Sequence, residues 1–184
     1  MRARRGAMAL WLVAGSIGLA ACAGKTPNTG SIQSAVPTPA KTQEEPMKAE
    51  LTWQEAKAHA QAIQLEIVAL IPKDAVISID QKKKGALLSC DKTQHNWNAS
   101  ITVTVAEGTK IQSVVKDIEA HYRANGLNVS VDRNVNENYR IQIDPPAPGE
   151  SYIVSEGLSP NEIRIASGSE CFTLPEGIYP GGDF

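Results

Sequence analysis

The sequence has few aromatic residues and no excess of positive charge. Phe, Trp and Tyr make up 5% of its 184 residues, and the formal net charge is −2. Proteins that bind nucleic acids usually present a basic face, and those that bind single strands also use aromatic side chains that stack on the bases. The composition therefore gives no reason to expect a nucleic-acid partner.

The motifs of common active sites are also missing from the sequence. It contains no Gly-rich phosphate loop, no G-x-S-x-G nucleophile motif and no H-E-x-x-H zinc motif. The chain has three histidines, and they are far apart in the sequence. From these patterns we expect no enzymatic activity, no cofactor and no metal site.

The N-terminus has the pattern of a bacterial export signal. Three arginines precede an apolar run from Met8 to Ala20, which is shorter than the ~20 residues of a membrane-spanning helix. The run ends in Leu19-Ala20-Ala21-Cys22, which resembles the lipobox of bacterial lipoproteins. The resemblance implies that residues 1–21 are a signal peptide and that Cys22 carries the lipid. The alternative is a plain secretory signal in which Cys22 is incidental.

A lipid on Cys22 would anchor the protein to the extracytoplasmic face of the cell membrane. Residues 22–50 are rich in Pro, Thr, Ser, Ala and Gln and lack apolar periodicity, which predicts a flexible tether. The tether leads to one folded domain of residues 51–184. Removal of the leader takes away three arginines and leaves 15 basic against 20 acidic side chains, so the mature chain is acidic.

Two amphipathic helices are predicted in the domain. Thr52 and Glu55 have the spacing of a capping box, and apolar residues recur every three or four positions from Trp53 to Leu70. A second helix is predicted from Thr109, with an apolar face that extends to Tyr122. Asn125-Gly126 is a typical helix end.

Short stretches with alternating or continuous apolar residues predict the strands. They cover residues 75–79, 86–90, 99–105, 127–132, 139–143, 152–155 and 162–166, and a short apolar segment follows at 171–174. A polar turn at Asp80–Gly85 predicts a hairpin between the first two strands.

This order of elements predicts an α+β fold. We expect a mainly antiparallel sheet of about six to seven strands, with two helices packed on one face. The passage from the strand at 99–105 through the second helix to the strand at 127–132 also allows a right-handed crossover, as in ferredoxin-like folds.

Two cysteines remain in the domain once Cys22 is lipidated. An exported domain with only Cys90 and Cys171 is expected to join them in one disulfide, because thiols oxidise outside the cytoplasm. The alternative, a reactive cysteine, would need a neighbouring His or a Cys-x-x-Cys motif.

The segment Asp91–Trp97 is the most promising candidate binding loop, with Asp91, His95 and Trp97 as its candidate contact residues. Its spacing matches no pattern of metal ligands. Trp97 has an alternative interpretation as an anchor at the start of a strand. The run Lys82–Lys84 is either a solvated turn that protects a sheet edge or a contact for anionic headgroups.

The domain resembles a group of small actinobacterial lipoproteins, the mycobacterial Lpp-type proteins. The resemblance rests on the opening helix, on Leu88-Ser89-Cys90, on Cys171-Phe172-Thr173-Leu174-Pro175 and on the segment Tyr179–Phe184. It implies a lipoprotein with a Cys90–Cys171 disulfide, and it assigns no functional residue.

Three functions are compatible with these features. The first is a non-enzymatic module of the cell envelope that contacts a membrane protein or a cell-wall polymer. The second is a protein that binds a small molecule or a lipid in an apolar pocket between helices and sheet. The third is an uncharacterised hydrolase, which would need a cleft with convergent acidic, His or Ser groups.

Overall fold

The computed structural model describes residues 50–184, so the predicted signal peptide, Cys22 and nearly all of the tether lie outside the described residues. The elements, in chain order, are α1 (Trp53–Ala69), β1 (Val76–Gln81), β2 (Ala86–Ser89), β3 (Gln94–Val105), α2 (Ile111–Ala124), β4 (Asn128–Arg133), β5 (Tyr139–Asp144), β6 (Ser151–Glu156), β7 (Glu162–Gly168) and β8 (Phe172–Thr173). A 3-10 turn, Lys73–Ala75, precedes β1. Neither described helix is long and apolar enough to cross a membrane.

The described strands form one antiparallel sheet in the order β1-β3-β7-β6-β5-β4, and β2 and β8 also pair with β3. The α+β class is confirmed, with eight described strands. Helix α1 packs on β3, β7 and β8, and α2 packs on β4, β5 and β6. Both helices therefore cover the same face of the sheet, as the sequence predicts.

The central strand β3 is longer than predicted and is flanked by interrupted strands on both sides. Strand β1 pairs with residues 101–105 of β3, and β2 pairs with residues 95–98 along the same edge. The predicted hairpin between β1 and β2 is therefore wrong, because Lys82–Gly85 is a break between two collinear strands. Phe184 fills this break, and its backbone exchanges two hydrogen bonds with the backbone of Gly85.

The ferredoxin-like crossover is not the arrangement found. Helix α2 connects β3 to β4, but β7, β6 and β5 lie between these two strands in the sheet. The later strands β5, β6 and β7 follow β4 as a meander, each paired with its predecessor. This meander returns the chain to β3, whose free edge β7 then occupies.

The two helices begin differently. Helix α1 has the predicted capping box, in which Thr52 and Glu55 bind each other's backbone N–H. Helix α2 begins at Ile111, two residues after the predicted start. The hydroxyl of Thr109 donates to the carbonyl of Ala106 at 2.6 Å and is not a cap.

The interior between helices and sheet is filled with aliphatic side chains. Ile67 of α1 and Ile118 of α2 are fully buried in one cluster with side chains from β3–β7. Trp97 and Phe172 form a second cluster under the first turns of α1. The predicted disulfide between Cys90 and Cys171 is confirmed, with their Cα atoms 6.3 Å apart.

Candidate functional site

The face of the sheet opposite the helices carries mainly polar side chains, and we call it the open face. Its residues alternate with the buried ones, because side chains on a strand point in turn to the two sides of a sheet. Cross-strand partners share a face, so the register shows which residues lie together there.

One cross-strand row of the open face spans six strands. The register runs from Asp80 on β1 to Thr102, Arg164, Ser155, Arg140 and finally Asp132 on β4. At the β4 end, Arg140 forms a bidentate ion pair with Asp132, and this pair lowers the pKa of the Asp132 carboxyl. In the middle of the row, Arg164 is exposed, and its side chain has no salt-bridge partner among the described residues.

Next to Arg164 the open face has a hollow of about 310 Å³, which we call the basic depression. Its floor is made of short residues, Ser100, Ala166 and Gly168, and its rim carries Lys82, Lys84 and Arg164. Gly168 pairs with Asn98 on one side and Ser151 on the other. The Asn96 side chain packs against it, since a Cβ atom added there would lie 2.9 Å from Asn96 Nδ2.

No carboxylate lines the basic depression, although acidic side chains outnumber basic ones in the chain. Two rim lysines have acidic partners outside it: Lys82 Nζ lies 2.6 Å from Asp80, and Lys84 Nζ lies 3.1 Å from Asp183. All four side chains are more than half exposed. Ion pairs of this kind contribute little stability, and a ligand anion can replace them.

The three residues of the predicted binding loop do not form one loop. Asp91 lies in the β2–β3 turn, where its carboxylate accepts from the backbone N–H groups of Thr93 and Gln94 at 2.7 and 2.8 Å. These hydrogen bonds lower the pKa of Asp91. Its role is to hold the turn.

His95 and Trp97 belong to β3 and point to the helix side of the sheet. His95 pairs with Phe172 of β8, and its Nδ1 atom is buried without a hydrogen-bond partner among the described residues. Trp97 has 0% of its surface exposed, and its ring nitrogen donates to the backbone oxygen of Phe184 at 3.1 Å. Trp97 is thus a core residue near the start of β3.

A second polar cluster lies where α1 approaches the start of β6. The carboxylate of Glu150 is 5% exposed and accepts a 2.7 Å hydrogen bond from the Tyr152 hydroxyl. His59, whose side chain is 55% exposed, lies 3.1 Å from the same carboxylate oxygen. Burial, and then the hydrogen bond to Glu150, raises the pKa of Tyr152.

The groove beside this cluster is larger, about 780 Å³, and is lined by Glu55, His59, Glu170 and Cys171 among others. Glu50, the first described residue, also lines it, so the groove extends to the boundary of the described part of the chain. Within residues 50–184, no group of three or more His, Cys, Asp or Glu side chains is placed to hold a metal ion.

Comparisons with protein-family models, with curated proteins and with solved structures found no match for the chain.

Arg164 is the residue of the basic depression that sequence analysis missed. Alternation along β7 places it among polar residues, between the buried Ile163 and Ile165. Its neighbours Lys82 and Lys84 are visible in the sequence as a basic run, but they are far from Arg164 along the chain. Strand β3 pairs with β1 on one side and with β7 on the other, and these two pairings bring the cations together.

Proposed function

We propose that the protein is a membrane-anchored extracytoplasmic lipoprotein, whose domain is a non-enzymatic module that binds another component of the cell envelope. The observation that carries the proposal is the Cys90–Cys171 disulfide in a chain that begins with a lipobox-like segment. Structural disulfides are typical of exported proteins and rare in the cytosol. Two separate features, the disulfide and the lipobox-like segment, thus favour the same compartment.

The open face is the contact surface that the geometry favours. The helices bury the other face, and the open face presents Ser, Thr, Asn and Arg side chains from neighbouring strands. Exposed polar side chains favour a hydrated interface with a hydrophilic partner, in which water molecules bridge many of the hydrogen bonds. A cell-wall polymer is such a partner.

The interior of the domain supports this choice over the small-molecule alternative. That alternative needs an apolar pocket between helices and sheet, and Ile67, Ile118 and Tyr152 are packed there with almost no exposed surface. The interaction module needs no such pocket. The hydrolase remains a prediction from the sequence.

Lipidation is tested with a Cys22→Ala variant, and Ala23→Ser is the matched control. We expect the wild-type chain and the control to incorporate an alkyne-tagged palmitate and to stay in carbonate-washed membranes, whereas Cys22→Ala does neither. Protease added to whole spheroplasts should digest the domain. An unlabelled wild-type chain, or a domain protected from protease, would refute the proposal.

Binding is tested with a photo-cross-linking amino acid placed on either side of the domain. A probe at Thr102 lies on the open face, and a control probe at Gln112 lies on the exposed side of α2. The proposal expects adducts with an envelope component at Thr102 in living cells and few at Gln112. Equal yields at both positions would mean that the open face is not a contact surface.

A further inference from the structure

We propose that the basic depression binds an acidic glycan through a carboxylate or phosphate group of one of its sugar units. This inference rests on the proposed function, which places the domain in the cell envelope, where it would meet such a glycan. It deepens that function, because it names the chemical class of the partner and the residues that select it.

The distribution of charge is the first argument. The chain is acidic, yet Lys82, Lys84 and Arg164 surround one hollow whose lining contains no Asp or Glu. Asp80 and Asp183 pair with the two lysines, so the uncompensated positive charge at the hollow is that of Arg164, and both lysine pairs are exposed enough to open towards a bound anion. The site therefore selects an anionic ligand.

The hydrogen-bonding groups are the second argument. The Arg164 guanidinium has no carboxylate partner among the described residues and is a planar donor that matches a carboxylate or phosphate with two parallel bonds. The hydroxyls of Ser100 and Ser151 lie in the same lining. Hydroxyl groups both donate and accept, as do the hydroxyls of a sugar.

The shape of the site is the third argument. A volume of about 310 Å³ lies at the lower end of the range for small-ligand sites. The hollow opens onto the flat face of the sheet, so a polymer can continue across the neighbouring rows while one charged unit sits in the hollow. Thr102 and Ser155 flank Arg164 along that path.

The open face favours a glycan over a nucleic acid. Single strands bind through aromatic side chains that stack on bases, and the lining of the basic depression has none. Duplexes need a broad basic surface, whereas Asp80 and Asp132 close the two ends of the Arg164 row.

The test is a calorimetric titration of the full-length protein in mild detergent with trigalacturonate, with phosphorylated maltotriose and with neutral maltotriose. We expect saturable binding of at least one anionic probe, weakened by 0.5 M salt, and no binding of maltotriose. Binding of maltotriose as tight as that of the anionic probes, or binding of neither anionic probe, would overturn the inference.

Two variants locate the site. Arg164→Gln removes the guanidinium that has no acidic partner among the described residues. The dissociation constant should rise about tenfold, because a pair of charge-assisted hydrogen bonds is lost. Arg140→Gln is the matched control, because this arginine lies in the same row but is bound to Asp132. It should change the affinity less than twofold. Equal effects of the two variants would refute the site.

A third variant and a lipid probe complete the design. Lys84 lies on the rim opposite Arg164, and Lys84→Gln should also weaken binding. Unchanged midpoints of thermal unfolding show that the variants fold. If vesicles with anionic lipid, and neither soluble probe, bind in a way that depends on Arg164, the glycan is the wrong ligand. If Cys22 is not lipidated but the titration succeeds, the proposed function fails and the site remains.

Discussion

Gln64 on α1 donates a 2.7 Å hydrogen bond from Nε2 to the hydroxyl of Ser167 on β7. Both side chains are buried, and Gln64 has 0% of its surface exposed. Its Oε1 accepts a 3.0 Å bond from Gln81 at the end of β1. This short polar chain fixes the position of α1 over the sheet within an otherwise aliphatic interior.

The Gln64 network predicts the cost of replacing a buried amide. Gln64→Met keeps the size of the side chain but removes one hydrogen bond from Ser167 and one from Gln81, which should lower the free energy of unfolding by about 1–3 kcal/mol. Gln112→Met, at an exposed position of α2, should change it by less than about 0.5 kcal/mol. Urea denaturation measures both values, and equal values would contradict a role for the network.

The disulfide predicts a larger effect. Cys90 and Cys171 are 81 residues apart in sequence, and the chain-entropy model gives about 4–5 kcal/mol for a loop of that length. A Cys90→Ala, Cys171→Ala double variant should lose most of that stability in urea denaturation. A loss below about 1 kcal/mol would show that the folded contacts around the turn carry the stability alone.

The contact between Glu119 on α2 and Tyr139 on β5 predicts that the free energy of unfolding depends on pH. The hydroxyl of Tyr139 and the guanidinium of Arg123 bind Glu119 and lower the pKa of its carboxyl. A lowered folded-state pKa stabilises the protein above the unfolded-state pKa, and this contribution disappears as the pH falls through the folded value.

Tyr139→Phe should therefore destabilise the protein by about 1 kcal/mol at pH 7, where the carboxylate is charged. The difference from wild type should shrink as the pH falls below the ordinary range of a glutamate and Glu119 takes up a proton. Unfolding free energies at pH 7 and at a series of lower pH values measure the change, with Tyr179→Phe, at an exposed tyrosine, as control. An effect independent of pH would show that packing, not the hydrogen bond to Glu119, accounts for it.

Local sequence signals predicted the elements whose chemistry is local. The capping box of Thr52 and Glu55 marks the start of α1 correctly, and regular alternation locates β3 from Ala99 onward. The first five residues of β3 were predicted as a loop because Gln94, Asn96 and Asn98 are polar. They form a strand because β2 and β8 pair with them from both sides.

Signals that depend on distant pairing were missed. Lys82–Gly85 has the composition of a hairpin turn, but it continues along the edge of β3, where Gly85 lies against the Trp97 ring. A Cβ atom at Gly85 would lie 2.6 Å from Cε2 of Trp97, so only glycine fits this close approach. The basic depression depends on the neighbourhood of β3 and β7, which no local pattern of residues specifies.

The position of β3 also imposes an order of assembly. Its partners β1 and β2 precede it in the chain, but β7 and β8 on its other side come only after α2 and three further strands. Pairings between such distant segments form slowly. If the chain is exported N-terminus first, as we propose, the edge of β3 that pairs with β7 and β8 stays unpaired until residues 162–173 have crossed the membrane. During that interval the unpaired edge could pair with strands of other chains, so the proposed export predicts that the incomplete domain needs protection from aggregation until β7 and β8 are in place.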